Sequence, residues 1–208
     1  MRKIIGLSCI FSGLLCLVIA AGFVVYNRRE AKNGEISAQN LLQTVQEQMQ
    51  DAPEPVDTTL QNPIPLPVRR EMPTIPAGSY ESIGILSIPV LELELPVLTD
   101  WSYEKLKSAP CLYFGSYYEP DFVIAAHNYA AHFGKLSQLQ PGDLVIFTDV
   151  AGDIHCYEVV LLETLPPTAT AEMIGSGFDL SLYTCTPGGG SRVTVRCRQV
   201  DAGTFCLT

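Results

Sequence analysis

Residues that would serve several common functions are scarce in this chain. No acidic residue precedes Glu30, no two cysteines have C-x-x-C spacing, and 208 residues hold only three histidines. Without that cysteine spacing a zinc site lacks its usual ligand frame, and neither a metal nor another cofactor is expected. Basic residues are few, 13 against 22 acidic, and four of them (Arg2, Lys3, Arg28, Arg29) lie before residue 30. The remainder sets nine basic residues against 22 acidic ones, a net charge of −13. Nucleic acid is thereby excluded as a partner, because its phosphates require a basic footprint. No internal repeat is visible. With 17% charged and 47% apolar residues, the composition fits a globular domain plus one very apolar segment rather than a disordered chain.

That apolar segment is residues 4–26, 23 residues without a charge, bracketed by Arg2 and Lys3 before and Arg28 and Arg29 after. As a helix it rises about 34 Å, enough to cross a bilayer core of about 30 Å. It exceeds the length of a signal-peptide apolar region and lacks a small-residue cleavage motif, so an uncleaved anchor over residues 1–29 is expected. No second long apolar run follows, which gives a single pass. The short basic tail favours a cytoplasmic N-terminus and an extracellular C-terminal domain.

Residues 30–78 join the anchor to that domain. Ala38, Leu41, Leu42, Val45 and Met49 recur among polar residues at helical spacing, one face of an amphipathic helix that would serve as a stalk, a packing element or a self-association seam. Seven prolines between residues 51 and 78 then favour an extended, semi-rigid spacer. The tract Asn62-Pro63-Ile64-Pro65-Leu66-Pro67 is alternatively an inhibitory strap lying in a peptide groove.

Residues 79–208 read as one all-β domain with short helices. Strands are expected over 83–89, 91–98, 122–126, 144–148, 154–163, 180–185 and 192–200, and helical turns over 101–108 and 136–143. Seven or eight short strands with regular turns make a sandwich or a closed barrel, which no sequence rule separates.

Chemistry concentrates in Leu182-Tyr183-Thr184-Cys185-Thr186-Pro187, followed by Gly188, Gly189, Gly190 and Ser191 and then by Arg192-Val193. An apolar strand ends in a thiol, a glycine-rich turn follows, and the next strand opens with an arginine. Thiol and guanidinium therefore stand on neighbouring strand ends. A nucleophilic cysteine needs a nearby base or cation, and Arg192 is placed to supply the cation. Equally, Cys185 is a small buried hydrophobe or pairs with Cys197 across a hairpin. Cys111–Cys156 and Cys197–Cys206 are further open pairings, and at least one thiol is left free. Among the histidines, His127 ends an apolar run, His132 is the fallback in a turn-like stretch, and His155 is one face's filler in an alternating strand. Alternation puts Arg192, Arg196 and Arg198 on one strand face; the plain reading of all three is a solvated face, and it is the one expected of Arg198.

The chain resembles the sortase family of membrane-anchored cysteine transpeptidases. The resemblance rests on the order His127, Cys185, Arg192, on the apolar strand ending in Thr184-Cys185, on the arginine opening the next strand, and on the N-terminal anchor; it covers roughly residues 79–200. It implies an eight-stranded β-barrel in which Cys185 attacks a C-terminal sorting signal, often of the LPXTG kind, on a secreted protein. The resulting thioacyl enzyme is resolved by an amine from a cell-wall precursor or a pilin lysine. His127 then serves as acid and base, Arg192 steadies the substrate backbone or oxyanion, and backbone N–H groups around Thr184 and Thr186 complete the oxyanion hole. No lid signature of pilin-polymerising members and no carboxylate cluster matching the housekeeping calcium site is present, so subclass, sorting motif and amine stay open. The competing readings are a cysteine peptidase using the same dyad and a non-catalytic anchored β-domain with a structural Cys185.

Overall fold

The structure, a computed structural model describing residues 2–51, 71–201 and 203, begins with a single helix, α1 (Arg2–Asp51). Most of the proline-rich stretch, including Asn62 to Pro67, and Cys206 lie outside the described residues. Strands follow as β1 (Ile75–Ala77), β2 (Tyr80–Ile88), β3 (Leu93–Leu98), β4 (Cys111–Phe114), β5 (Phe122–Ala125), β6 (Leu144–Asp149), β7 (Ile154–Leu165), β8 (Leu180–Cys185) and β9 (Arg192–Val200). Two short helices, α2 (Tyr103–Leu106) and α3 (Thr170–Ile174), interrupt them.

The sheet runs β1-β2-β3-β4-β5-β8-β9-β7-β6 and closes on itself where β6 pairs with β2, so eight strands form a barrel and β1 is an added edge. Closure removes the free edges that an open sheet would expose. Seven of the strands match the sequence expectation; β1, β4 and α3 do not appear in it. The strand expected from Leu91 starts instead at Leu93, because Pro89 opens a 3-10 turn over Pro89–Leu91 that Glu92 ends in the left-handed region. The interior is filled by Leu86, Ile88, Leu95, Val97, Phe122, Ile124, Val145, Phe147, Leu180, Leu182 and Val195.

Most pairings are antiparallel, but β5 and β8 run parallel with Ala125 opposite Tyr183. Their C-terminal ends therefore finish side by side. β9 returns antiparallel to β8 and sets Arg192 directly opposite Cys185.

The barrel carries a second apolar face on its outside, made by Ala77, Ile85, Leu98, Ala109 and Cys111, and α1 covers it with Val45, Leu41, Leu42 and Met49. Residues 31–50 are thus a packing element on the barrel, and Gln46 Nε2 adds a hydrogen bond to Glu94 Oε1 at 3.0 Å. In the apolar half of the same helix Phe11, Leu14, Leu17, Val18, Phe23 and Val24 are all exposed. Length and hydropathy make this one helix able to cross a membrane, consistent with a single-pass anchor. The expected disulfides Cys111–Cys156 and Cys197–Cys206 do not form. Cys111 and Cys197 are free, buried thiols, whereas Cys156 is disulfide-bonded. Burial pushes the Cys111 thiol up to about 12, against the smaller opposing pull of the Lys105 ammonium.

Val45 has no exposed surface at the helix seam. Truncation by Val45→Ala is expected to cost about 2 kcal/mol, through lost transfer energy and the cavity left behind. Denaturant unfolding of the full chain in detergent checks it, and an unchanged midpoint would mean that α1 is not docked in solution.

Candidate active site

Two strand ends and one strand start build the site. Thr184 points into the barrel wall, where its hydroxyl donates to the Ala126 carbonyl at 2.8 Å and ties β8 to the end of β5. Ala126 N–H in turn donates to the Tyr183 carbonyl at 3.2 Å. With the ends locked in this way, His127 leaves β5 beside Cys185 as it leaves β8. Residues i and i+2 of a strand share a face, so Tyr183 and Cys185 both look outward while Leu182 and Thr184 are buried.

The turn from β8 to β9 is self-contained. Thr186 N–H donates to Ser191 O at 3.0 Å, Ser191 N–H donates back to Thr186 Oγ1 at 3.0 Å, and Gly188 and Gly189 take left-handed conformations at φ 86° and 75°. Arg192 donates to the carbonyls of Gly189 and Ser191 at 3.1 and 3.2 Å, which holds the guanidinium near the turn.

Cys185, His127 and Arg192 line one open cleft of ≈ 780 Å³, including solvent at its mouth, a size that suits a peptide side chain and backbone. One wall is aromatic: Tyr183 packs edge-on against Tyr113 at 5.2 Å, and Tyr113 lies 5.7 Å from Trp101. The other wall is the segment after β7, with Pro166, Pro167, Ala169 and Met173. Sequence reasoning missed this aromatic wall, although alternation from Cys185 points to Tyr183. Cys185 is a free thiol, so the hairpin disulfide with Cys197 is excluded. Thr186 caps the turn and Thr184 the strand pairing; their side chains are committed to the frame.

His127 stacks on Tyr129, ring centroids 4.8 Å apart and 20° from parallel. Burial lowers its pKa below the ordinary 6.5, opposed by the carboxylate of Glu30 and assisted by Lys107. Its imidazole is therefore neutral at pH 7. Tyr183 is shifted up, first by burial and then by Tyr113, with Arg192 working in the opposite sense.

The other candidates lie elsewhere. His132 is fully buried and absent from the cleft walls; its Nε2 lies 3.4 Å from Gly34 O of α1 while Nδ1 has no partner. His155 packs against Tyr117 and Phe147 and its Nε2 sits 3.2 Å from Asp149 Oδ2, a structural setting on β7. Arg198 is half exposed as expected, donating to Gly177 O and lying over Phe178.

Arg196 corrects the expectation of a solvated arginine. It is 1% exposed, because α3 folds over the strand face that simple alternation left open. Its guanidinium donates to Glu163 Oε1 at 2.8 Å, Ser181 Oγ at 2.8 Å and Glu172 O at 2.7 Å. These bonds clamp the α3 wall of the cleft to β7 and β8. Among the described residues no three His, Cys, Asp or Glu side chains converge as metal ligands.

The family model of the sortase domain matches residues 86–200. No curated protein matches the chain. Among solved structures, sortase C of Streptococcus pneumoniae is similar at 25% identity over 58% of this chain and 68% of its own, with a TM-score of 0.53. Sortase C1 of Streptococcus agalactiae gives 25% over the same shares with a TM-score of 0.52. Sortase C of Clostridium perfringens, at 20% identity, shares the fold over 83% of this chain and 90% of its own, TM-score 0.52.

The two cleft-side arginines separate by stability. Arg196→Ala opens a cavity and leaves the buried Ser181 hydroxyl and the part-exposed Glu163 carboxylate without their partner, and is expected to cost about 2–3 kcal/mol, whereas Arg192→Ala stays within about 0.5 kcal/mol; parallel unfolding curves measure both. His132 gives a pH signature. Its folded pKa of about 4, set by burial, lies below the ordinary 6.5, so between these values the unfolded chain binds the extra proton. Stability is full above pH 6.5 and falls by on the order of 3 kcal/mol toward pH 4. His132→Gln is expected to flatten that slope in unfolding curves at successive pH values.

Proposed function

The chain belongs to the sortase family, and on that premise we propose that it is a membrane-anchored cysteine transpeptidase using Cys185, His127 and Arg192. What supports the reading is one observation: three residues drawn from three strand ends line one cleft, with a free thiol, an imidazole and a guanidinium around a peptide-sized space.

The acyl donor is a sorting signal of the LPXTG kind on a secreted protein, its apolar residues lying against Tyr183, Tyr113 and Trp101. Transfer of the Cys185 proton to His127 gives the reactive thiolate and imidazolium. The thiolate attacks the scissile carbonyl, Arg192 and backbone N–H groups around Thr184 to Thr186 stabilise the oxyanion, and the imidazolium protonates the departing amine. A C–S bond forms as the C–N bond breaks. An amine from a cell-wall precursor or a pilin lysine then attacks the thioester and gives its proton to the neutral imidazole. Because burial holds His127 below 6.5, the ion pair is a minority species, and the pH optimum belongs to the pair rather than to either group. The anchor places the N-terminus in the cytoplasm and the barrel outside.

The test uses the full chain in detergent, a pool of LPXTG-like peptides and glycine- or lysine-bearing amines, with products read by mass spectrometry. Wild type is expected to yield amine-containing product, Cys185→Ala none, and His127→Ala about 10²–10⁴-fold less. Arg192→Ala is expected to lose about 10²–10³-fold in rate. Product from water alone would assign a peptidase, and absence of any thioacyl adduct would assign a binding domain.

A further inference from the structure

His127 lines two openings. Toward β8 it faces the cleft that holds Cys185 and Arg192. A second groove runs between α1 and the β8–β9 turn, walled by Glu30, Lys107, Asn128, Tyr129, Pro187 and Gly188.

The helix reaches this groove through a close contact. Gly34 is buried, and a Cβ there would stand 2.9 Å from the Lys107 carbonyl and 2.9 Å from the Tyr129 ring. Only a glycine lets α1 approach the ring that stacks on His127. Glu30 lies one turn before Gly34 on the same helix face. The carboxylate is thereby brought within electrostatic reach of His127, and it makes no ion pair with any described residue. Lys107, the cation that would compete for it, has its ammonium 3.4 Å from Glu104 instead.

From this geometry, and resting on the transpeptidase reading, we propose that the second groove is the acceptor subsite and that Glu30 recognises the ammonium form of the incoming primary amine. The donor peptide occupies the aromatic cleft, so the acceptor must approach the thioester from another side, and the groove is the opening that also ends at His127. The bound ammonium sheds one proton to water and exposes its lone pair. Nitrogen attacks the thioester carbonyl, the C–N bond forms, the C–S bond breaks to release the Cys185 thiolate, and the second proton passes to the neutral imidazole of His127. The ion pair of the free enzyme is thus regenerated. Glu30 is a specificity-determining residue in this scheme: it touches the acceptor and forms or breaks no bond in acylation.

The experiment compares the full chain in detergent with Glu30→Gln and with Glu35→Gln, a carboxylate of the same helix that lines a different groove. Three acceptors are used: triglycinamide, Nα-acetyl-lysinamide and hydroxylamine, which is uncharged at neutral pH. For Glu30→Gln the KM of the two cationic amines is expected to rise about fivefold at low ionic strength. The KM of hydroxylamine stays unchanged and Glu35→Gln behaves as wild type, while any slowing of thioacyl formation, from loss of the carboxylate that favours the His127 imidazolium, is shared by all three acceptors. A rise for only one cationic amine would still support Glu30 and identify which amine the groove accepts. Unchanged KM values for both, or an equal rise for hydroxylamine, would overturn the proposal while leaving the transpeptidase intact. Failure of wild type to form a thioacyl adduct would overturn both, and is read separately because it precedes the acceptor.

Discussion

The parallel pairing of β5 with β8 is the constraint on which the site depends. Parallel neighbours finish at the same end of a sheet, so a residue just past one strand stands beside the end residue of the other. Here the bond from the Thr184 hydroxyl to the Ala126 carbonyl at 2.8 Å fixes which residues those are. A slip of one residue would turn Cys185 inward and Thr184 outward, burying the thiol in an apolar interior. Cys197 shows the consequence of such a position: it faces the core, and burial drives its pKa far upward. The same thiol chemistry is inert or available according to which side of β8 or β9 it occupies.

Around that pairing the charged residues divide into those that shape the cleft and those that face into it. Arg196 spends its donors on Glu163, Ser181 and the Glu172 carbonyl, and so carries α3 as a fixed wall. Arg192, four residues earlier, bonds among the described residues to the carbonyls of its own turn, Gly189 and Ser191. Buried ion pairs contribute little net stability but specify an arrangement strongly, because one partner alone is costly to bury. Arg196 therefore helps to give the cleft its shape by holding α3.

Legibility in the sequence followed the range of the interactions involved. The Thr184-Cys185 strand end, the glycine turn and Arg192 are local features, and alternation within a strand made Cys185 and its neighbours readable. His127 was readable as the end of an apolar run, while its pairing to Cys185 came only with the family resemblance, since parallel pairing leaves no local trace. β4 was missed because Cys111 to Phe114 is four residues with no clean alternation, formed by what lies beside it: β5 on one side and a single bridge to Leu98 on the other. Arg196 was misread for a related reason. Alternation reports which face a residue takes, and not whether a later segment covers that face. The amphipathic face at Ala38, Leu41, Leu42 and Val45 was clear, but only the outer apolar patch of Ile85, Leu98 and Cys111 shows what it was for.

One helix links the membrane to the chemistry. Because α1 continues without a break from its apolar half into the half docked on the barrel, the position of the barrel over the bilayer is set by helix rise rather than by a flexible tether. Glu30 lies four residues beyond Tyr26, the last residue of the apolar stretch, which is about 6 Å along the axis. The groove beside His127 thus opens about one helical turn beyond the end of the apolar stretch. A spacer alone would have allowed the cleft any orientation; packing at Gly34 and Val45 leaves it one, and makes the N-terminal helix part of the candidate site's architecture.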